Sequence, residues 1–354
     1  MRSTLRRRSA ALALSAVLIA GLAACTPEAA PVDSASPSPT AEPDEPTYES
    51  TYEAPPATVI APLTGEVVPD GSLDRPVLSA KIDNAPLARP QVGLDRADIV
   101  HVELVEGGSV RYAASWHSDL PEEVGPVRSV RPMDPDIVSP FGGILVYSGA
   151  QQRFIDAMRN TPVRNIIFDY GDDADLVYRG LPRPAPHNVI ARVSQLVDRY
   201  AGDAAPQQPY LFADRVENAT AVRDGSPAFA LNLRYGQIGQ SGWQWSAADN
   251  AWLRLQGGTP DVAASGARLS ATNVVVLRVR VEVIQSIPTT FLAGESGTGF
   301  VASGGKTIPV TWSKAGQADP IRILDAQGVA VRLAPGNTWV ELVPTSGDAS
   351  ITAG

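Results

Sequence analysis

Beyond residue 58 the chain is a series of short apolar runs separated by Gly, Pro and Asp, and the texture of those runs changes once along its length. The runs at 77–82, 99–105, 110–116, 144–147 and 163–168 are bounded by turn formers, as strands are. Helical spacing is weak over 154–159 and stronger over 188–200. There Val189, Val193, Leu196, Val197 and Tyr200 recur on one face, and Asn188 is placed to cap the first turn. Strand and helix signals in alternation predict a mixed-sheet α/β domain over 59–205. After a Pro- and Gly-bearing stretch at 202–209, the runs at 229–235, 243–245, 251–255, 274–283, 307–312, 321–324, 329–333 and 339–343 are strand-like, and almost nothing is helical. This predicts a separate, smaller, mostly β domain over 206–348. Its sharpest alternation sets Val275, Leu277, Val279, Val281 and Val283 against Arg278, Arg280 and Glu282, the pattern of a strand with one face buried and one wet.

The first 58 residues have no such rhythm. Residues 26–57 are Pro, Ser, Thr, Ala, Glu and Asp with almost no aliphatic side chains, too little apolar surface to fold, so 25–58 is expected to be an extended tether. At ~3.1 Å per residue, roughly 30 residues reach ~90 Å at most. Ahead of it, Arg2, Arg6, Arg7 and Arg8 precede an apolar run over 10–20, the two parts of an export signal covering 1–24. The run is shorter than the ~20 residues a membrane helix needs. Leu22-Ala23-Ala24-Cys25 then reads as a lipobox: small side chains admit a signal peptidase, and the Cys25 sulfur accepts a diacylglyceryl thioether. The expectation is a protein held by lipid at Cys25 on the outer face of the cell membrane.

Charge narrows the partners. The signal contains four of the 29 basic residues and none of the 38 acidic ones, which leaves 25 against 38, or −13. Nucleic acid is thereby an unsuitable partner, and an anionic ligand needs a local basic pocket. With Cys25, the sole cysteine, taken by lipid, no disulfide, thiol nucleophile or thiolate metal site is expected, and three histidines are little material for a zinc centre.

Several fragments carry a resemblance. The run from Arg75 through Ile82-Asp83-Asn84, Ala88-Arg89-Pro90-Gln91-Val92-Gly93-Leu94, Ala97-Asp98-Ile99-Val100, Glu106-Gly107-Gly108 followed by Arg111, Gly125-Pro126-Val127-Arg128-Ser129-Val130-Arg131-Pro132, and Ala185-Pro186-His187-Asn188 resemble the YerB-type bacterial lipoproteins. In the second half, Thr272-Asn273-Val274-Val275-Val276, Gly304-Gly305-Lys306-Thr307 and Pro335-Gly336-Asn337-Thr338-Trp339 are similar to that family's second domain. The resemblance implies a two-domain extracytoplasmic lipoprotein with no assigned reaction. Where many relatives carry a His before an Asp, this chain has Pro260-Asp261, which removes the basis for a metal or catalytic role there.

Candidate chemistry gathers in the first half. Arg128 and Arg131 stand among turn formers, and guanidinium forks bind carboxylate or phosphate oxygens two at a time. His187 and Asn188, read as a helix N-terminus, add unpaired N–H groups that favour an anion. Asp83, Glu103 and Glu106 lie at or near strand ends, as partners for those cations, as general acid and base, or as turn caps. The predicted arrangement puts Arg128, Arg131 and His187 on one cavity with the three acids on its wall. Gly305-Lys306-Thr307 fails as a phosphate loop, because Phe300 stands where Gly is required and a strand follows. No Gly-x-Ser-x-Gly elbow occurs. No cofactor is expected. Asp169, Asp172, Asp173 and Asp175 read as a solvated loop, with calcium as the rival, and His101 and His117 as structural or surface residues. Three functional classes remain open: noncatalytic binding of an anionic envelope ligand or protein partner, a hydrolase or transferase on cell-wall glycan, peptide or phosphate polymer, and a scaffold recruiting envelope proteins through exposed tryptophans.

Overall fold

A computed structural model describes residue 51 and residues 53–354; the export signal, Cys25 and most of the expected tether lie outside these residues. The described chain is organised by a mixed sheet of 16 strands. In its first half, β-branched and aromatic runs form the strands Leu78–Ile82, Ile99–Leu104, Val110–Trp116, Ile144–Tyr147 and Arg164–Ile167. Ile99–Leu104 and Val110–Trp116 are antiparallel neighbours, as are Val110–Trp116 and Leu78–Ile82. The order continues through two parallel pairings to Arg164–Ile167 at the edge. Helices cover both faces, as the α/β expectation requires. Asp134–Val138 and Gln152–Arg159 bury Ile137, Val138, Phe154 and Ile155 on one face, and Val193–Arg199 buries Val193, Leu196 and Val197 on the other.

The second half is almost entirely strand, with Thr220–Asp224 its one α-helix among the described residues. It joins the first half through hydrogen bonds. The strand Thr338–Pro344 lies between Asn273–Val279 and Ile99–Leu104, parallel to both, so one sheet runs through the two halves.

Three local expectations are corrected. Val189–Arg192 is a strand and the helix is only Val193–Arg199, because the Val189-Ile190-Ala191 edge pairs with Val177–Arg179 and Glu123–Val124. His187 and Asn188 therefore precede a strand, not a helix. The alternating run from Val275 is not wet on one side: Val274 and Val276 enter one core while Val275, Leu277 and Val279 enter the other, since the strand is central. Beyond Arg280 the run leaves the core: in the hairpin strand Val281–Ile284, Glu282, Val283 and Ile284 are all exposed, Val283 at 71%, so neither face of that strand is buried as expected. Finally, of the six tryptophans five are buried, and Trp245 is half-buried against Trp252. No exposed tryptophan remains to serve a scaffold. At Gly304 and Gly305, positive φ values of 54° and 72° form the hairpin turn into Lys306–Ser313.

Candidate functional site

The loop 125–132 is laced into the first-half sheet, and this sets where its arginines go. The Asp83 and Arg128 N–H groups donate to the Pro126 and Lys81 carbonyls at 2.9 and 2.8 Å, and the Val127 N–H reaches the Val189 carbonyl at 2.8 Å. Arg128 is thereby set beside Asp83, its Nε 3.1 Å from Asp83 Oδ2 but without an aligned hydrogen bond. The same Oδ2 meets His187 Nδ1 at 2.7 Å. Asp83 Oδ1 accepts the Ala85 N–H at 3.1 Å, so one carboxylate in a turn holds an imidazole and a guanidinium. Arg131 lies farther along, with Nε donating to Glu106 Oε2 at 2.7 Å and its backbone N–H to Asp134 Oδ2 at 2.6 Å.

Arg111 links these two groups. It projects from the Val110–Trp116 strand, in register with Glu103, and its Nη1 donates to the Ser129 carbonyl at 3.0 Å. Burial, then repulsion from Arg131 and Arg128, lowers its pKa to about 10 against the opposing pull of Asp83 and Glu106. Three guanidiniums thus face two carboxylates. At Glu106 burial works to raise the pKa, but the Arg131 hydrogen bond and the charges of Arg131 and Arg111 outweigh it and hold the group below its usual range.

Beneath this surface lies a fully buried triad. Lys81 Nζ donates to Glu103 and, at 2.8 Å, to Asp134 Oδ1. Glu103 Oε2 has no partner, and burial followed by the charge of Asp134 raises the Glu103 pKa to about 7, with Lys81 and Arg111 pulling the other way. The five surface groups and the triad together are neutral when Glu103 is ionised and carry one positive charge when it is protonated.

Of the expected residues, Asp83, Arg128 and His187 form one group, Arg131 and Glu106 a second, and Glu103 lies below. Asn188 is not brought in: its side chain accepts from Arg179 Nη1 at 2.7 Å and donates to the Arg183 carbonyl at 3.0 Å, closing its own turn. Cavities of about 780 and 370 Å³ are lined by other residues. Arg111, Lys81 and Asp134 were missed as site residues; the one available signal was a basic side chain interrupting each of two apolar strands. His117 is buried with Nε2 3.0 Å from the Arg75 carbonyl, and His101 is buried against Phe141. Asp173 and Asp175 pair with Arg199, and Asp172 accepts the Ile167 N–H at 3.1 Å. Among the described residues no three His, Cys, Asp or Glu side chains gather as a metal site.

A second buried charge cluster has a different character. Arg254 Nη1 donates to Glu341 Oε1 at 2.7 Å and Nε to Asp261 Oδ2 at 3.2 Å, while its guanidinium lies 4.4 Å from the Trp339 ring centroid and near the Tyr112 and Trp243 rings. Glu341 also accepts from Trp243 Nε1 at 2.7 Å and from the Tyr235 hydroxyl. Asp261, beside the Pro260 noted above, is thus an ion-pair partner.

Two family models match the chain, the N-terminal domain of a protein family of unknown function, DUF3048, over residues 63–206 and its C-terminal domain over 231–340. The chain belongs to the DUF3048 family. The YerB resemblance holds as well. A relative in Bacillus subtilis (strain 168), YerB, which its name assigns to the lipoproteins, is 25% identical over 308 residues, 83% of this chain and 89% of the relative. The crystal structure of YerB from Bacillus subtilis superposes with a TM-score of 0.71 at 23% identity, covering 82% of this chain and 99% of that one, so the DUF3048 fold is common to both. Among the described residues no helix is long and apolar enough to cross a membrane.

Proposed function

We propose that this DUF3048 protein is a noncatalytic envelope lipoprotein, anchored through Cys25 to the outer face of the cell membrane, that binds an anionic group on a wall polymer or partner protein at Arg111, Arg128 and Arg131. The observation that carries the reading is Arg111, a buried guanidinium with one carbonyl partner, pressed by two other guanidiniums and matched by too few carboxylates. An arriving phosphate or carboxylate relieves that repulsion and gains bidentate hydrogen bonds. Titration with tripolyphosphate and with oligogalacturonate tests it. Saturable binding that weakens with salt and disappears in Arg111→Gln/Arg128→Gln is expected, and absence of binding in the wild type overturns it. For the anchor, Cys25→Ala should leave the membrane fraction; a cleaved variant chain that still behaves as an integral membrane protein would contradict it.

One observation favours a second reading. Asp83 and His187 form a carboxylate–imidazole pair at 2.7 Å, the arrangement in which a carboxylate orients an imidazole as general base. On this reading the neighbouring arginines hold a phosphate or carboxylate of a wall polymer while His187 moves the proton. Incubation with isolated wall polymer decides between the two. Release of phosphate or reducing ends, lost in His187→Asn with binding retained, would establish the enzyme.

A further inference from the structure

Along the segment joining the two halves, three cavities adjoin. An open chamber of about 780 Å³ lies over Phe141, Arg164, Asp203 and Gln207. A groove of about 370 Å³ borders the end of the joining segment, at Gln208, Pro209 and Tyr210, and a void of about 10 Å³ shares Phe141 with the chamber and Tyr210, Pro320 and Ile321 with the groove. The groove is apolar. Tyr210, Ile323, Val331 and Leu333 are its buried walls, and Leu211 is 45% exposed at its rim. Its volume falls within the ~300–1,000 Å³ range of small-ligand sites.

The void that adjoins it adds charge to a largely apolar lining. Beside Ile137, Phe141, Tyr210 and Ile321, its walls include His101, Asp136 and Lys314. His101 is 2% exposed and its Nδ1 has no hydrogen-bond partner. Lys314 is 1% exposed and donates to the Asp319 carbonyl, and among the described residues no carboxylate lies within ion-pair distance of it. Burial lowers its pKa to about 8 against the pull of Asp136 and Asp319. A buried ammonium without a paired anion is costly, and an orphaned imidazole nitrogen beside it adds to that cost.

We propose that this groove binds a single-chain anionic amphiphile, its alkyl chain against Tyr210, Ile323, Val331 and Leu333 and its carboxylate or phosphate head directed at Lys314. The void has room for about one water. The head therefore sits where Tyr210, Pro320 and Ile321 border both spaces and meets Lys314 through that water, which also satisfies His101. Nothing in this site draws on Arg111, Arg128 or Arg131, so it stands or falls separately from the surface cluster.

The test is calorimetric titration of the full Cys25→Ala chain with dodecanoate, dodecyl phosphate and dodecanol below their micellar concentrations. Saturable one-to-one binding is expected, with both anions at least 10-fold tighter than dodecanol. Leu211→Asp, at the exposed rim, should weaken all three about 10-fold, and Lys314→Met should erase the anion preference while Arg322→Gln at the outer side keeps it. Should Lys314→Met fail to fold, the wild type measured at pH 7 and at pH 9.5 gives the same information, since the preference must shrink as the ammonium deprotonates. Equal affinity for anion and alcohol, no saturable binding, or loss of preference in Arg322→Gln instead would overturn the proposal.

Discussion

Two clusters of charge are built into opposite faces of one sheet, and they differ in how completely their members are matched. Around Arg254, each guanidinium nitrogen has a partner: Glu341, Asp261 and the Tyr112 hydroxyl share it, Tyr235 and Trp243 complete Glu341, and three aromatic rings lie against it. Around Arg111, three guanidiniums meet two carboxylates, one aligned partner is a carbonyl, and the triad beneath leaves a carboxylate oxygen bare. A buried pair whose needs are all met contributes to a unique fold and has no capacity to spare for a ligand. An incompletely matched cluster that touches solvent retains that capacity, which is why the proposed binding role rests on the second.

Four experiments press on this contrast. The largest effect is expected at the closed cluster: Glu341→Gln leaves Arg254 buried without its main counter-ion and should cost ~3–5 kcal/mol in urea denaturation. The triple variant Arg254→Met/Asp261→Asn/Glu341→Leu should lose much less than the sum of its single losses, because no buried charge is left unpaired; additive losses would mean the cluster is not the unit described.

Next comes Glu103. Its pKa is raised from 4.5 to about 7, so between those values the folded state binds more protons than the unfolded one and this carboxyl withdraws stability as pH rises. Asp98, raised to about 6, acts in the same direction, whereas His101, lowered to about 3, adds stability as pH rises from 3 to 6.5. The difference between Glu103→Gln and wild type isolates the one group. It should move in the variant's favour by on the order of 1–3 kcal/mol from pH 4.5 to 7, and a flat difference would remove Glu103 from the account.

Arg111→Gln should change stability by no more than about 1.5 kcal/mol while reducing tripolyphosphate binding at least 10-fold. A large loss of stability with binding retained would place Arg111 in the same class as Arg254. The smallest effect concerns the joining segment: a protease cut within 202–209 should leave the two fragments associated in gel filtration, since the Thr338–Pro344 strand is paired to Ile99–Leu104. Separation of the fragments without denaturant would show that the shared sheet does not hold the halves.

Much of the fold was legible because strand signals are local. The strands at Val110–Trp116 and Ile144–Tyr147 begin and end where their apolar runs do. What escaped was everything decided by a distant partner. Val189-Ile190-Ala191 has both helical spacing and β-branched side chains, and only the neighbouring Val177–Arg179 edge settles it as strand. Lys81, Glu103 and Asp134 come from three separate elements, and no spacing in the sequence announces that they meet. For the candidate site, the pairing of Asp83 with both His187 and Arg128 was foreshadowed by residue type, but the helix terminus expected at Asn188 does not exist. Arg111 was visible as a basic residue in an apolar strand, yet nothing local separates such a residue from an ordinary ion-pair member.

The position of the Thr338–Pro344 strand also bears on how the molecule is made. Until residue 344 has left the ribosome or a translocation channel, Ile99–Leu104 presents an unpaired edge at what will become the middle of the sheet. The first half is therefore incomplete for nearly the whole of its synthesis. Strand pairing across more than 230 residues of chain is the slow, high-contact-order step of such a topology. An open edge is also the natural target for a chaperone, or for another copy of the same nascent chain.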